Sequence, residues 1–94
     1  MTKKEIKKYV EDQIEYHCEE FGLEREEVED VVMKNIVIHF YNDEISGDEL
    51  VECGNYLGYQ IDLEETTKDK EAYKKAKERR KAYKQASKNK KQRL

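Results

Sequence analysis

Proline and tryptophan are absent from this 94-residue chain, and glycine, at four residues, is scarce. With so few turn formers, few sharp loops can be built, and helices joined by short connections become the default architecture. Only two cysteines occur, Cys18 and Cys53, in no metal-type or redox-type spacing. Two such thiols in a chain without a signal peptide point to a reducing, cytoplasmic compartment. The opening Met1-Thr2-Lys3-Lys4-Glu5-Ile6 is charged and lacks an apolar h-region, and no run approaches the roughly 20 apolar residues that cross a bilayer. Neither an export signal nor a membrane partner is expected.

Catalytic and cofactor signatures are also missing. The glycines Gly22, Gly47, Gly54 and Gly58 are scattered as helix punctuation and form no phosphate-binding loop. Only Ser46 and Ser87 are serines, the first a helix cap and the second in a basic segment, so no activated nucleophile is indicated. His17, Cys18, His39 and Cys53 lack the short spacing that lets two ligands share a zinc ion, and adjacent His17 and Cys18 point apart on a helix. A calcium loop ending at Glu49 would put Ile38 and Phe40 at its first and third positions, where oxygen ligands are required. The expectation is a non-enzymatic protein with no cofactor.

What the chain does have is charge, and the charge is divided. Charged residues are 44% of the sequence and the net charge is −3. Residues 1–67 hold 6 basic and 19 acidic side chains, net −13, whereas residues 68–94 hold 13 basic and 3 acidic ones, net +10. Such blocks repel internally and seek a surface of opposite sign. Val, Ile, Leu, Phe and Tyr cluster in the first two thirds, which predicts one acidic helical body, residues 1–65, followed by a basic C-terminal helix, residues 66–94.

Local signals predict a mainly α fold, with three helices in the body. Thr2 and Glu5 form a capping box that starts a helix over 3–21, with Ile6, Val10, Ile14, His17 or Cys18, and Phe21 as its apolar stripe and Gly22 as its end. Glu24, Glu26 and Glu27 open a second helix to about Tyr41, with Val28, Val31, Val32, Ile36, His39 and Phe40 inward. Asn42 to Ile45 reads as a polar turn. Ser46 and Glu49 cap a third helix that carries Leu50, Val51, Cys53, Tyr56 and Leu57 to Gly58. Tyr59, Ile61 and Leu63 alternate as an extended strap, and a long helix runs from Thr66 or Thr67 to about residue 90. The alternative is α+β: the β-branched and aromatic run 36–41 becomes a strand, paired in parallel with 59–63 through the third helix.

Two surfaces are candidates for binding. Glu15, Glu19, Glu20, Glu24, Glu26, Glu27, Glu29 and Asp30 crowd the junction of the first two helices, where carboxylates one turn apart make a regular anionic row. Such a row can occupy a groove built for nucleic acid. Lys74, Lys75, Lys77, Arg79, Arg80, Lys81, Lys84, Lys88, Lys90, Lys91 and Arg93 surround the last helix and suit a polyanion or an acidic protein surface. A helix-turn-helix built on this helix is disfavoured, since Asp62, Glu64 and Glu65 would meet phosphates at its start.

Three functions follow in order. The first is an interaction protein whose acidic body binds and inhibits or modulates a host nucleic-acid-acting protein. The second is an accessory protein that binds nucleic acid through residues 68–94, and the third is a structural or assembly component. Heavy use of Lys, Glu, Ile and Tyr without proline resembles small proteins of AT-rich phages and mobile elements, an analogy of composition alone.

Overall fold

The computed structural model describes the backbone of residues 1–92 and the side chains of residues 1–82. Four helices follow in order among the described residues: α1 (Lys3–Phe21), α2 (Arg25–Tyr41), α3 (Gly47–Leu57) and α4 (Leu63–Gln92). No strand occurs among the described residues. The chain divides into two compact units, Met1–Leu63 and Glu64–Leu94. The first contains α1, α2 and α3, each packed against the other two.

In α1 the Thr2 hydroxyl accepts the Glu5 N–H at 3.2 Å, and the Glu5 carboxylate accepts the Thr2 N–H at 3.3 Å. Two orphan donors of the first turn are thereby satisfied. Gly22, at φ 63°, ends the helix in the left-handed region that favours glycine. Ile6, Val10 and Ile14, spaced four residues apart, enter the core, and Cys18 packs at its margin. Phe21, expected at the end of this stripe, is instead 62% exposed and lies against the His17 ring, centroids 5.8 Å apart.

The segment 36–41 is helical, so the strand alternative is corrected. A strand would send Ile36, Ile38 and Phe40 to one face, because its side chains alternate. Here Ile36 is 0% exposed and Phe40 is buried, whereas Ile38 is 42% exposed. Helical spacing groups Ile36 and Phe40 with Val28, Val32 and Met33, and burial of this row overrides the β preference of the individual residues. Val31, expected inside, is exposed, and Met33 takes its place in the core. The 42–45 turn is not uniformly polar either, since Ile45 is buried. Asp43 adopts φ 61° there, a conformation its short side chain tolerates.

Ser46 and Glu49 form the capping box of α3, with the Ser46 N–H donating to the Glu49 carboxylate at 2.8 Å. That carboxylate also accepts the Met1 ammonium at 3.0 Å, and these bonds hold Glu49 below the usual carboxylate range. Leu50 and Cys53 complete the core, and Gly58, at φ 88°, closes the helix.

Residues 59–62 carry no regular structure, and Tyr59, Ile61 and Leu63 pack on the core as a strap, so the second strand of the α+β alternative is absent as well. The Tyr59 N–H donates to the Gly54 carbonyl at 2.8 Å. The strap crosses α3 at Gly54, where an added Cβ would stand 2.4 Å from Ile61 Cγ1 and 3.3 Å from the Tyr59 carbonyl. α4 begins at Leu63 rather than at the expected Thr66 or Thr67. Glu64 and Glu65 occupy its first turn, where the helix dipole favours negative charge.

On an open helix surface, Gly54→Ala would stabilise by roughly 0.5–1 kcal/mol. Because the methyl group displaces Ile61, this variant is expected to destabilise by about 1–3 kcal/mol. Urea unfolding checks the sign, and a gain in stability would show that the strap does not bear on α3.

Candidate functional site

Folding divides the acidic cluster into engaged and open members. Glu15, Glu19 and Glu20 are exposed on α1, Glu24 stands in the turn, and Glu26, Glu27, Glu29 and Asp30 lie on α2, with only Glu29 half-buried. Glu27 accepts the Glu24 N–H at 3.3 Å, Glu29 accepts Arg25 Nε at 3.3 Å, and Asp30 accepts the Tyr59 hydroxyl. The Tyr59 hydroxyl is held protonated above its ordinary range by that bond. Glu15, Glu19, Glu20 and Glu26 make no ion pair among the described residues. The open anionic surface is thus about half of the predicted row.

The strongest polar contact of the body joins residues outside that row. Arg25 Nη1 and Nη2 donate in parallel to the two carboxylate oxygens of Glu11, each at 2.8 Å, and the Tyr56 hydroxyl donates to the same carboxylate. One node thereby ties α1, α2 and α3. Arginine's planar fork suits this two-point contact. The Arg25 guanidinium, then the Tyr56 hydroxyl, hold the Glu11 carboxyl down at about 2. Arg25 is the only arginine before residue 68 and stands between acidic neighbours, a signal that a partner on another helix exists without saying which.

A second seam joins α1 to α2. Asn35 Nδ2 donates to His17 Nε2 at 3.1 Å, which leaves the ring proton on Nδ1, a buried atom with no hydrogen-bond partner among the described residues. Further along, the Tyr9 hydroxyl lies 2.6 Å from His39 Nδ1, and that nitrogen is 3.7 Å from Glu44 Oε2. Around the His17–Asn35 bond the exposed side chains are largely apolar, with the exposed Lys34 standing between Val31 and Ile38 along α2. Phe21 stacks on His17 and Tyr16 meets the same ring edge-on, while Val31 and Ile38 flank Asn35 one turn away on α2. Tyr16, Phe21, Val31 and Ile38 are all exposed, as is Leu23 in the connecting turn. This face, absent from the residues selected by charge, is the candidate site.

The Cys53 thiol is pushed up to about 11 by burial and then by Glu49 and Glu52, so at neutral pH it is protonated packing. Among the described residues no three His, Cys, Asp or Glu side chains converge as a metal site. An open depression of about 490 Å3 is lined by Lys3, Ile6, Glu52, Asn55 and Tyr56. No described helix is long and apolar enough to cross a membrane.

On α4, Lys74, Lys75, Lys77, Arg79, Arg80 and Lys81 are exposed. The side chains of Lys84, Lys88, Lys90 and Lys91, and the whole of Arg93, lie outside the described residues. No protein-family model matches the chain, and neither curated proteins nor solved structures yield a match.

Because Glu11 titrates near 2 when folded but in the ordinary range when unfolded, its contribution is complete above about pH 4.5 and is lost as pH falls toward 2. Glu11→Gln should lower the thermal midpoint by about 4 °C at neutral pH, in keeping with a well-formed but solvent-accessible pair, and by clearly less near pH 2. A difference that persists undiminished at pH 2 would show that packing, not charge, underlies the effect.

Proposed function

We propose that the three-helix body is a protein-docking module that binds the cationic surface of a nucleic-acid-acting protein and so inhibits or modulates it. The observation that carries this reading is the exposed apolar face on α1 and α2, Tyr16, Phe21, Val31 and Ile38, standing beside carboxylates that make no ion pair among the described residues. Specific interfaces have this anatomy: aromatic and aliphatic anchors supply most of the affinity, and a charged rim sets orientation and choice of partner. Glu15, Glu19 and Glu20 lie beside Tyr16 and Phe21 in sequence and on the same helix, so an arriving partner would meet both kinds of group. A lysine- and arginine-rich groove that normally holds phosphates offers the complementary charge.

The reading does not require turnover or a cofactor. It rests on a face that the core leaves outside, and on carboxylates whose charge is not cancelled within the body. Such a module would act by occupancy, competing with nucleic acid for the same cations.

The test is affinity isolation from the native host with the wild-type chain and with the exposed-face variant Phe21→Ser/Ile38→Ser. A basic nucleic-acid-acting protein should be retained by the wild type and depleted at least tenfold with the variant, and purified wild-type chain should displace nucleic acid from it. Retention that ignores the variant, or a partner that keeps its nucleic acid, would refute the proposal.

A further inference from the structure

The cations of α4 are arranged in a way that separates two kinds of anionic partner. At about 100° per residue, Lys74, Lys75, Lys77, Arg79, Arg80 and Lys81 fall on all sides of the helix, with no gap between neighbours wider than about 100°. An acidic protein that docks a helix by one face would leave the far cations unmatched. A groove walled by phosphates on both flanks would match them.

Dimensions agree with the groove. An α-helix with its side chains is about 10–12 Å across, and the B-DNA major groove is about 12 Å wide. The eight residues from Lys74 to Lys81 rise about 12 Å, over which a duplex presents about seven phosphates, one per 1.7 Å. This stretch carries six cations and one anion, Glu78. On the remaining side, Ala72 and Ala76 leave the helix narrow, and Arg79 and Arg80 flank it. By contrast, Glu64, Glu65, Asp69 and Glu71 oppose phosphate contact in the first turns, so the engaged part starts at about Lys74.

We infer that α4 is a duplex-DNA-binding helix that lies in the major groove through Lys74–Lys81, holding phosphates on both walls without reading sequence. Backbone contacts of this kind position a protein on DNA and carry no sequence information. The narrow, deep major groove of A-form RNA would not admit the helix. This inference is independent of the docking proposal, because it uses no residue of the body.

Fluorescence polarisation of the full-length chain on a labelled mixed-sequence DNA duplex tests it. With about five phosphates neutralised, the slope of log K against log salt should be near −4.5, a loss of several hundred-fold between 50 and 200 mM salt. Arg79→Gln/Arg80→Gln should make the slope shallower by about 2 and weaken binding at least tenfold at low salt, while helicity by circular dichroism stays unchanged. Phe21→Ser/Ile38→Ser should bind the duplex like wild type. No binding at 50 mM salt, equal affinity for single-stranded DNA, an unaltered slope in the arginine variant, or tighter binding to labelled poly-glutamate would each overturn the inference.

Discussion

The body depends on a very small dry interior. Val10, Val28, Val32, Ile36, Leu50 and Cys53 are its fully buried large side chains, and they come from all three of its helices. Each hydrophobic side chain of this size contributes about 1.5–3 kcal/mol when withdrawn from water, a large share of what so short a chain can gather. α2 supplies the spine, since Val28, Val32 and Ile36 repeat every four residues and leave room on either side for α1 and α3. Once those three face inward, Val31 and Ile38 are turned outward and Asn35 is left at the margin, where it meets His17. The exposed apolar face is therefore a consequence of how the interior is filled.

Around this interior runs a set of polar fasteners that set the register of the helices. Glu11, Arg25 and Tyr56 link three helices, Tyr59 and Asp30 link the strap to α2, and His17–Asn35 and Tyr9–His39 link α1 to α2. None of these is deeply buried, so each adds modestly to stability, but their directionality selects one arrangement of the helices. They also consume charge. Arg25 cancels part of the acidic row, and the carboxylates without an ion pair among the described residues are concentrated on the outer side of α1 and at Glu26.

Opposite charges on the two units give the chain two distinct kinds of surface. One combines carboxylates with exposed aromatic and aliphatic side chains, a composition suited to protein contact. The other is a cationic helix with little apolar bulk, a composition suited to phosphates.

Local chemistry made most of the element boundaries readable from residues alone. The Thr2–Glu5 and Ser46–Glu49 capping boxes and the left-handed Gly22 and Gly58 lie where near neighbours place them, because each depends on atoms within a few positions along the chain. The start of α4 was not readable, since Leu63 serves the core and the helix together. The exposed apolar face was not readable either. Val31 and Phe21 have the spacing of core residues, and Met33 and Ile45 do not stand out from their surroundings, yet the first two are exposed and the last two are buried.

Composition and spacing by themselves determined a helical body, its caps, and the split between an acidic and a basic segment, because propensity, capping and charge act over one or two turns. Only the tertiary structure decided which apolar residues face solvent, that Arg25 reaches Glu11 rather than only its own helix, and that the strap crosses at Gly54. Those outcomes depend on where separate helices meet, and the meeting points follow from the packing of the whole interior rather than from any one segment.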